Sequence, residues 1–164
     1  MWRFAFPAVA VLALVGAACS SGSSSEPAGT GEPSSGGEAG ADQDITRAGE
    51  VGGITVEATW LTEGALDRVN VDLGRYPLTE FVLVEINFTT HSGDLSKIEM
   101  EQASRLSQGN TELPPQAWLS TSDDSHHRAG VLVFPRALKD GPVELAIEIE
   151  GKKVSLLWTT APAS

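Results

Sequence analysis

Val143-Glu144-Leu145-Ala146-Ile147-Glu148-Ile149-Glu150-Gly151-Lys152-Lys153-Val154-Ser155-Leu156-Leu157-Trp158 is the stretch that decides the fold. Val143, Leu145, Ile147 and Ile149 alternate with Glu144, Ala146 and Glu148. Val154, Leu156 and Trp158 then resume the same period. A period of two puts one set of side chains on a buried face and the other in water, the signature of antiparallel strands over a core. Glu150-Gly151-Lys152 between the runs reads as a tight hairpin.

The same period extends outward from this hairpin. Ile54, Val56, Ala58 and Trp60 alternate with Thr55, Glu57 and Thr59. Val82, Val84, Ile86 and Phe88 share one face opposite Phe81, Leu83, Glu85 and Asn87. Val69, Val71 and Leu73 form a further alternating run, as do Ile98 and Met100, while Val131 to Phe134 is apolar on both faces. Gly130 and Pro142 mark strand starts, and Pro114-Pro115 breaks the chain between strands. No segment carries a helical period with caps. The count predicts an all-β, immunoglobulin-like antiparallel sandwich of seven to eight strands over residues 50–161. Trp60, Trp118 and Trp158 are the expected aromatic anchors of its core. With one cysteine in the chain no internal disulfide can form, so this domain stands on its hydrophobic core.

The chain begins differently. Arg3 and the amino terminus precede an apolar run from Phe4 to Val15, which is too short for a hydrocarbon core that needs about 20 residues. Small residues Gly16-Ala17-Ala18 follow, then Cys19. A positive start, a short apolar stretch and small residues make a secretion signal, expected over residues 1–18. Leu14-Val15-Gly16-Ala17-Ala18-Cys19 resembles the lipobox of bacterial lipoproteins, although Gly16 stands where leucine is commonest. The resemblance implies lipidation of Cys19, including acyl groups such as palmitate, and it makes Cys19 the first residue of the mature protein. Stable anchoring takes more than one acyl chain, and the resemblance implies two or three. The expected location is therefore outside the cytoplasm, on the outer face of the bacterial cytoplasmic membrane or in the periplasm.

Residues 19–49 are rich in Ser, Gly, Pro, Ala and acids. Such a stretch buries too little surface to offset its ordering entropy, so a disordered tether is expected, with a mean span of roughly 30 Å. The whole chain has 22 acidic against 11 basic residues and a formal charge of −11. That balance excludes nucleic acid and direct adhesion to anionic lipid as partners, leaving the lipid anchor as the membrane contact. A monomer that meets another envelope protein is the expected state.

All three histidines bracket strand ends. Thr90-His91-Ser92 closes the strand begun near Phe81, and His126-His127-Arg128 precedes the apolar run at Gly130. Antiparallel pairing of those two strands would bring His91, His126 and His127 to one end of the sandwich, with Asp94, Asp123 and Asp124 nearby. Thr90-His91-Ser92-Gly93-Asp94-Leu95, Trp118 and His126-His127-Arg128-Ala129-Gly130 together resemble a group of exported bacterial and archaeal proteins with immunoglobulin-like domains. Those proteins share a pattern of Thr-His-Ser, Asp-Leu, Trp and His-His-Arg-x-Gly. The resemblance spans roughly Thr55 to Trp158 and implies the fold and an envelope location, without an activity.

Imidazoles beside carboxylates suit Cu(II), Zn(II) or Ni(II), which makes His91, His126, His127 and Asp94 a candidate ligand or metal site. Copper and zinc are the cofactors this set would take, and the sequence requires neither. In the competing reading the histidines brace loop backbone and Arg128 pairs with an acid such as Asp94. Enzyme chemistry is not expected. His91, Ser92 and Asp94 are local neighbours, poor geometry for a nucleophile–base–orienter relay, and no phosphate loop, metalloprotease helix or paired-cysteine motif occurs. The sequence thus predicts a non-enzymatic binding module on a lipid anchor, with a structural or protein-interaction module of the envelope as the alternative.

Overall fold

The computed structural model describes residues 45–162. Cys19, the signal segment and most of the tether lie outside them. Nine strands occur among the described residues: β1 (Thr46–Val51), β2 (Ile54–Trp60), β3 (Phe81–Thr90), β4 (Ser104–Gln108), β5 (Thr111–Leu113), β6 (Ala117–Asp123), β7 (His127–Pro135), β8 (Val143–Ile149) and β9 (Lys152–Trp158). Every pairing is antiparallel. One sheet has the order β1-β2-β3-β7-β6 and the other β5-β4-β8-β9. Without β1, this is the four-on-four arrangement of an immunoglobulin-like sandwich, with β5 as an added edge.

The β8–β9 hairpin forms as its alternation requires. Val143, Leu145, Ile147 and Ile149 are buried, and Val143 pairs with Trp158 across the ladder. Glu150 and Gly151 make the two-residue turn with φ of 52° and 74°. Two left-handed residues are what the twist of a tight hairpin demands, and glycine meets that demand without steric cost. Facing this sheet, Val82, Val84, Ile86 and Phe88 from β3 join Leu106, Leu145, Ile147 and Leu156 in one core. Each such side chain contributes about 1.5–3 kcal/mol by leaving water. Trp60 and Trp158 meet edge to face there, with centroids 5.5 Å apart. Trp118 is only half-buried, at the rim of the core, because it sits on edge strand β6.

Three sequence expectations change. The strand count is nine: β4, β5, β6 and β1 match none of the alternating runs, and β1 has no apolar period and buries only Val51 fully. It is held instead by the β2 ladder, by Arg47 Nε donating to the Leu157 carbonyl at 2.8 Å, and by Trp158 Nε1 donating to the Ile45 carbonyl at 3.0 Å. The first strand among the described residues therefore starts at Thr46, inside the segment assigned to the tether.

The alternation at Val69, Val71 and Leu73 belongs to no strand. Residues 61–80 cross the outer face of the five-stranded sheet, through a 3-10 helix at Glu63–Arg68. Their apolar side chains pack on Leu83, Val131 and Val133. This cover explains why β7 is apolar on both faces. Ile98 and Met100 likewise lead into one helical turn, Met100–Ala103, with Met100 buried.

The ends of the sandwich are distinct. Gly52 of the β1–β2 turn lies beside Lys152 at the β8–β9 hairpin, and the ends of β3 and β6 are at this end too. Thr46, Phe81, Pro135 and Trp158 belong to the opposite end.

Candidate functional site

Thr89 pairs with His127 across the β3–β7 ladder, and the amide of Thr90 donates to the His126 carbonyl at 3.0 Å. His91 and the His126–His127 pair thus share one end of the sheet, as antiparallel pairing requires. Their side chains are exposed. Ser125 Oγ and His126 Nδ1 are 3.0 Å apart. His127 alternates onto the outer face of the sheet, beside Thr89.

The segment after β3 is built by its own polar side chains. Thr90, 4% exposed, donates its hydroxyl to the Ser92 carbonyl at 2.7 Å and accepts from the Ser92 amide at 3.2 Å. Asp94 caps the 3-10 helix Leu95–Lys97 by accepting from Ser96 Oγ at 2.6 Å and Ser96 N at 3.1 Å. Its other oxygen meets Lys97 Nζ at 3.2 Å. The Ser96 hydroxyl foremost, then Lys97, hold the Asp94 carboxyl below its ordinary value.

Asp124 does the same for the β6–β7 turn. Its Oδ1 accepts from the amides of His126 at 2.8 Å and His127 at 3.1 Å. Those two bonds, His126's first, lower its pKa. Both carboxylates are therefore engaged in shaping loops. Among the described residues, no group of three or more His, Cys, Asp or Glu side chains is gathered so as to hold a metal ion.

Arg128 joins the two loops. It alternates inward, with Gly130, Leu132 and Phe134, and is 7% exposed. Nη1 donates to the carbonyls of Leu95, at 2.9 Å, and Ile98. Nε donates to Asp123 Oδ1 at 3.1 Å. The guanidinium lies 5.5 Å from the Trp118 ring centroid, within cation–π range. The Leu95 amide adds a bond to the Ser125 carbonyl at 2.9 Å. Arg128 pairs with Asp123 rather than with Asp94, because Asp123 is its register partner across the β6–β7 ladder.

Gly130 completes the cluster. A Cβ there would come within 2.5 Å of the Leu119 carbonyl oxygen and 2.6 Å of the Trp118 ring. Thr90, Asp94, Leu95, Trp118, Arg128 and Gly130 thus act as a brace, and His91 and His126 ride on the loops that it fixes. All six lie within the Thr-His-Ser to His-His-Arg-x-Gly stretch, where the residue that joins the loops is not a histidine but Arg128. Its inward parity with Leu132 and Phe134 was the available signal.

The His91-Ser92-Asp94 trio does not form a relay, since Asp94 turns to Ser96 and Lys97. No helix among the described residues is long and apolar enough to cross a membrane. Compared with known proteins, the chain matches no family model, no curated protein and no solved structure.

Proposed function

We propose that this chain is a lipid-anchored envelope protein. Cys19 carries the acyl anchor, and the sandwich is a non-enzymatic binding module held outside the cytoplasmic membrane, on its outer face or in the periplasm. Its loop end, bearing His91 and His126, docks another envelope protein.

One observation carries this reading. The chain enters the sandwich at Thr46, at the end opposite the braced loops. The ten residues of β3 run between the two ends, roughly 30 Å. A domain held by its entry point leaves the loop end free to meet a partner. The Arg128 brace adds to this, because a surface whose loops are already ordered loses less entropy on association.

The test starts from the full chain, extracted from its native membrane in mild detergent and sized. Expected is a complex larger than the monomer. Replacing the exposed histidines together (His91→Ala, His126→Ala, His127→Ala) should release the monomer without shifting the melting temperature. A complex that survives the triple substitution contradicts the proposal.

A further inference from the structure

The braced crossover also walls an open concavity of about 950 Å³, between the β1–β2 turn, the segment Ser92–Ala103 and the second sheet. This is the upper range for a ligand pocket, far larger than an ion needs. Its lining includes the apolar side chains of Ile54, Leu95, Ile98 and Ile149. The lining also includes five acidic side chains, Asp94, Glu99, Glu112, Glu148 and Glu150, against the three basic ones of Lys97, Arg105 and Lys153.

The basic groups are already engaged. Lys97 pairs with Asp94 at 3.2 Å and Lys153 with Glu144 at 3.0 Å. Arg105 Nη1 donates to the carbonyls of Glu101, Gln102 and Ser104. Glu99, Glu112, Glu148 and Glu150 make no ion pair among the described residues. A lining of apolar side chains and unpaired carboxylates is complementary to side chains with an apolar stem and a cationic head.

We infer that this concavity takes a basic, apolar-interleaved segment of the partner protein, an inference that rests on the loop-end docking proposed above. Charge selects this occupant over the two alternatives within the molecule. The chain's own residues 19–44 carry Glu26, Glu32, Glu38, Asp42 and Asp44 and no basic residue, and a second copy brings another formal charge of −11. Both would be repelled.

The test titrates the full chain with a short synthetic peptide alternating lysine and valine, followed by calorimetry and amide NMR. A glutamate–valine peptide is the control. Expected is binding of the lysine peptide alone, with amide shifts confined to Ile98, Glu99, Glu148 and their neighbours. Glu99→Gln with Glu148→Gln should weaken it about fivefold, from the loss of two exposed pairings. Raising salt from about 50 to about 500 mM should weaken binding to the unaltered chain by a similar factor, a readout independent of any variant's folding.

Equal binding of the glutamate peptide, shifts elsewhere, salt-insensitive binding or affinity unchanged by the two substitutions overturns the inference. So does absence of binding. If the histidine substitutions release the chain from its complex while the lysine peptide fails to bind, the loop-end partner stands and this concavity is not its seat.

Discussion

Nη1 of Arg128 donates to the carbonyl oxygen of Leu95 at 2.9 Å, joining residues 33 apart in sequence. The bond ties β7, in the five-stranded sheet, to the crossover that leads into the other sheet. Its buried carbonyls have no other charged donor among the described residues, so the guanidinium decides the shape of the loop end.

Arg128→Ala should be among the costliest single changes in the domain. It strands the carbonyl of Ile98, leaves that of Leu95 with the Ile98 amide alone, deprives Asp123 of its partner and uncovers Trp118. A loss of about 3 kcal/mol is expected, with the melting temperature down by about 10 °C. Arg128→Lys should recover less than half, because an ammonium lacks the planar fork that reaches several acceptors. Urea unfolding of the three forms measures both.

Gly130→Ala should cost about 2 kcal/mol by overpacking. The added methyl meets both the Trp118 ring and the Leu119 carbonyl. The second contact is backbone, so the cost should persist in a Trp118→Ala background. A neutral Gly130→Ala in the unaltered chain would show that β6 can shift freely.

Asp124→Ala should destabilise the domain at neutral pH and matter little in acid. The amides of His126 and His127 lower the folded pKa below its ordinary 3.8. The stabilisation is therefore complete above that ordinary value and is lost as pH falls through the folded one. The gap between the unaltered chain and Asp124→Ala should narrow as unfolding curves are taken from neutral pH into acid below the ordinary 3.8.

Glu85 should behave with the opposite sign. Half-burial first, then Glu57 on the neighbouring strand, raise its pKa above the ordinary 4.5. A raised value favours folding below the unfolded pKa, and that advantage disappears as pH rises through the folded one. Glu85→Gln should accordingly raise the melting temperature at neutral pH, and the gain should vanish below about pH 4.

Much of the sandwich was legible because alternation and turn chemistry agree. Val143 to Trp158 reads as a hairpin, and Glu150-Gly151 supplies its turn. The placement of His91 and His126 at one end of the sheet followed from one antiparallel pairing, now fixed by Thr89 opposite His127. Val69, Val71 and Leu73 misled because a segment lying across a sheet is also apolar, with no period of its own. Thr46–Val51 was invisible, since its hold comes from ladder hydrogen bonds and the Ile45 and Leu157 carbonyls rather than from apolar side chains. At the loop end, residue types pointed to imidazole chemistry, whereas geometry turned on an arginine facing inward.

Loop-end docking is tested most directly by a photoreactive residue placed at position 126 and, separately, at position 79 in the full chain in its native envelope. Thr79 is exposed at the opposite end, beside the start of β3. A partner seated on the braced loops gives one defined adduct from position 126, identified by mass spectrometry as an envelope protein, and none from position 79. Adducts from position 79 alone, or equal yields from both, would contradict it.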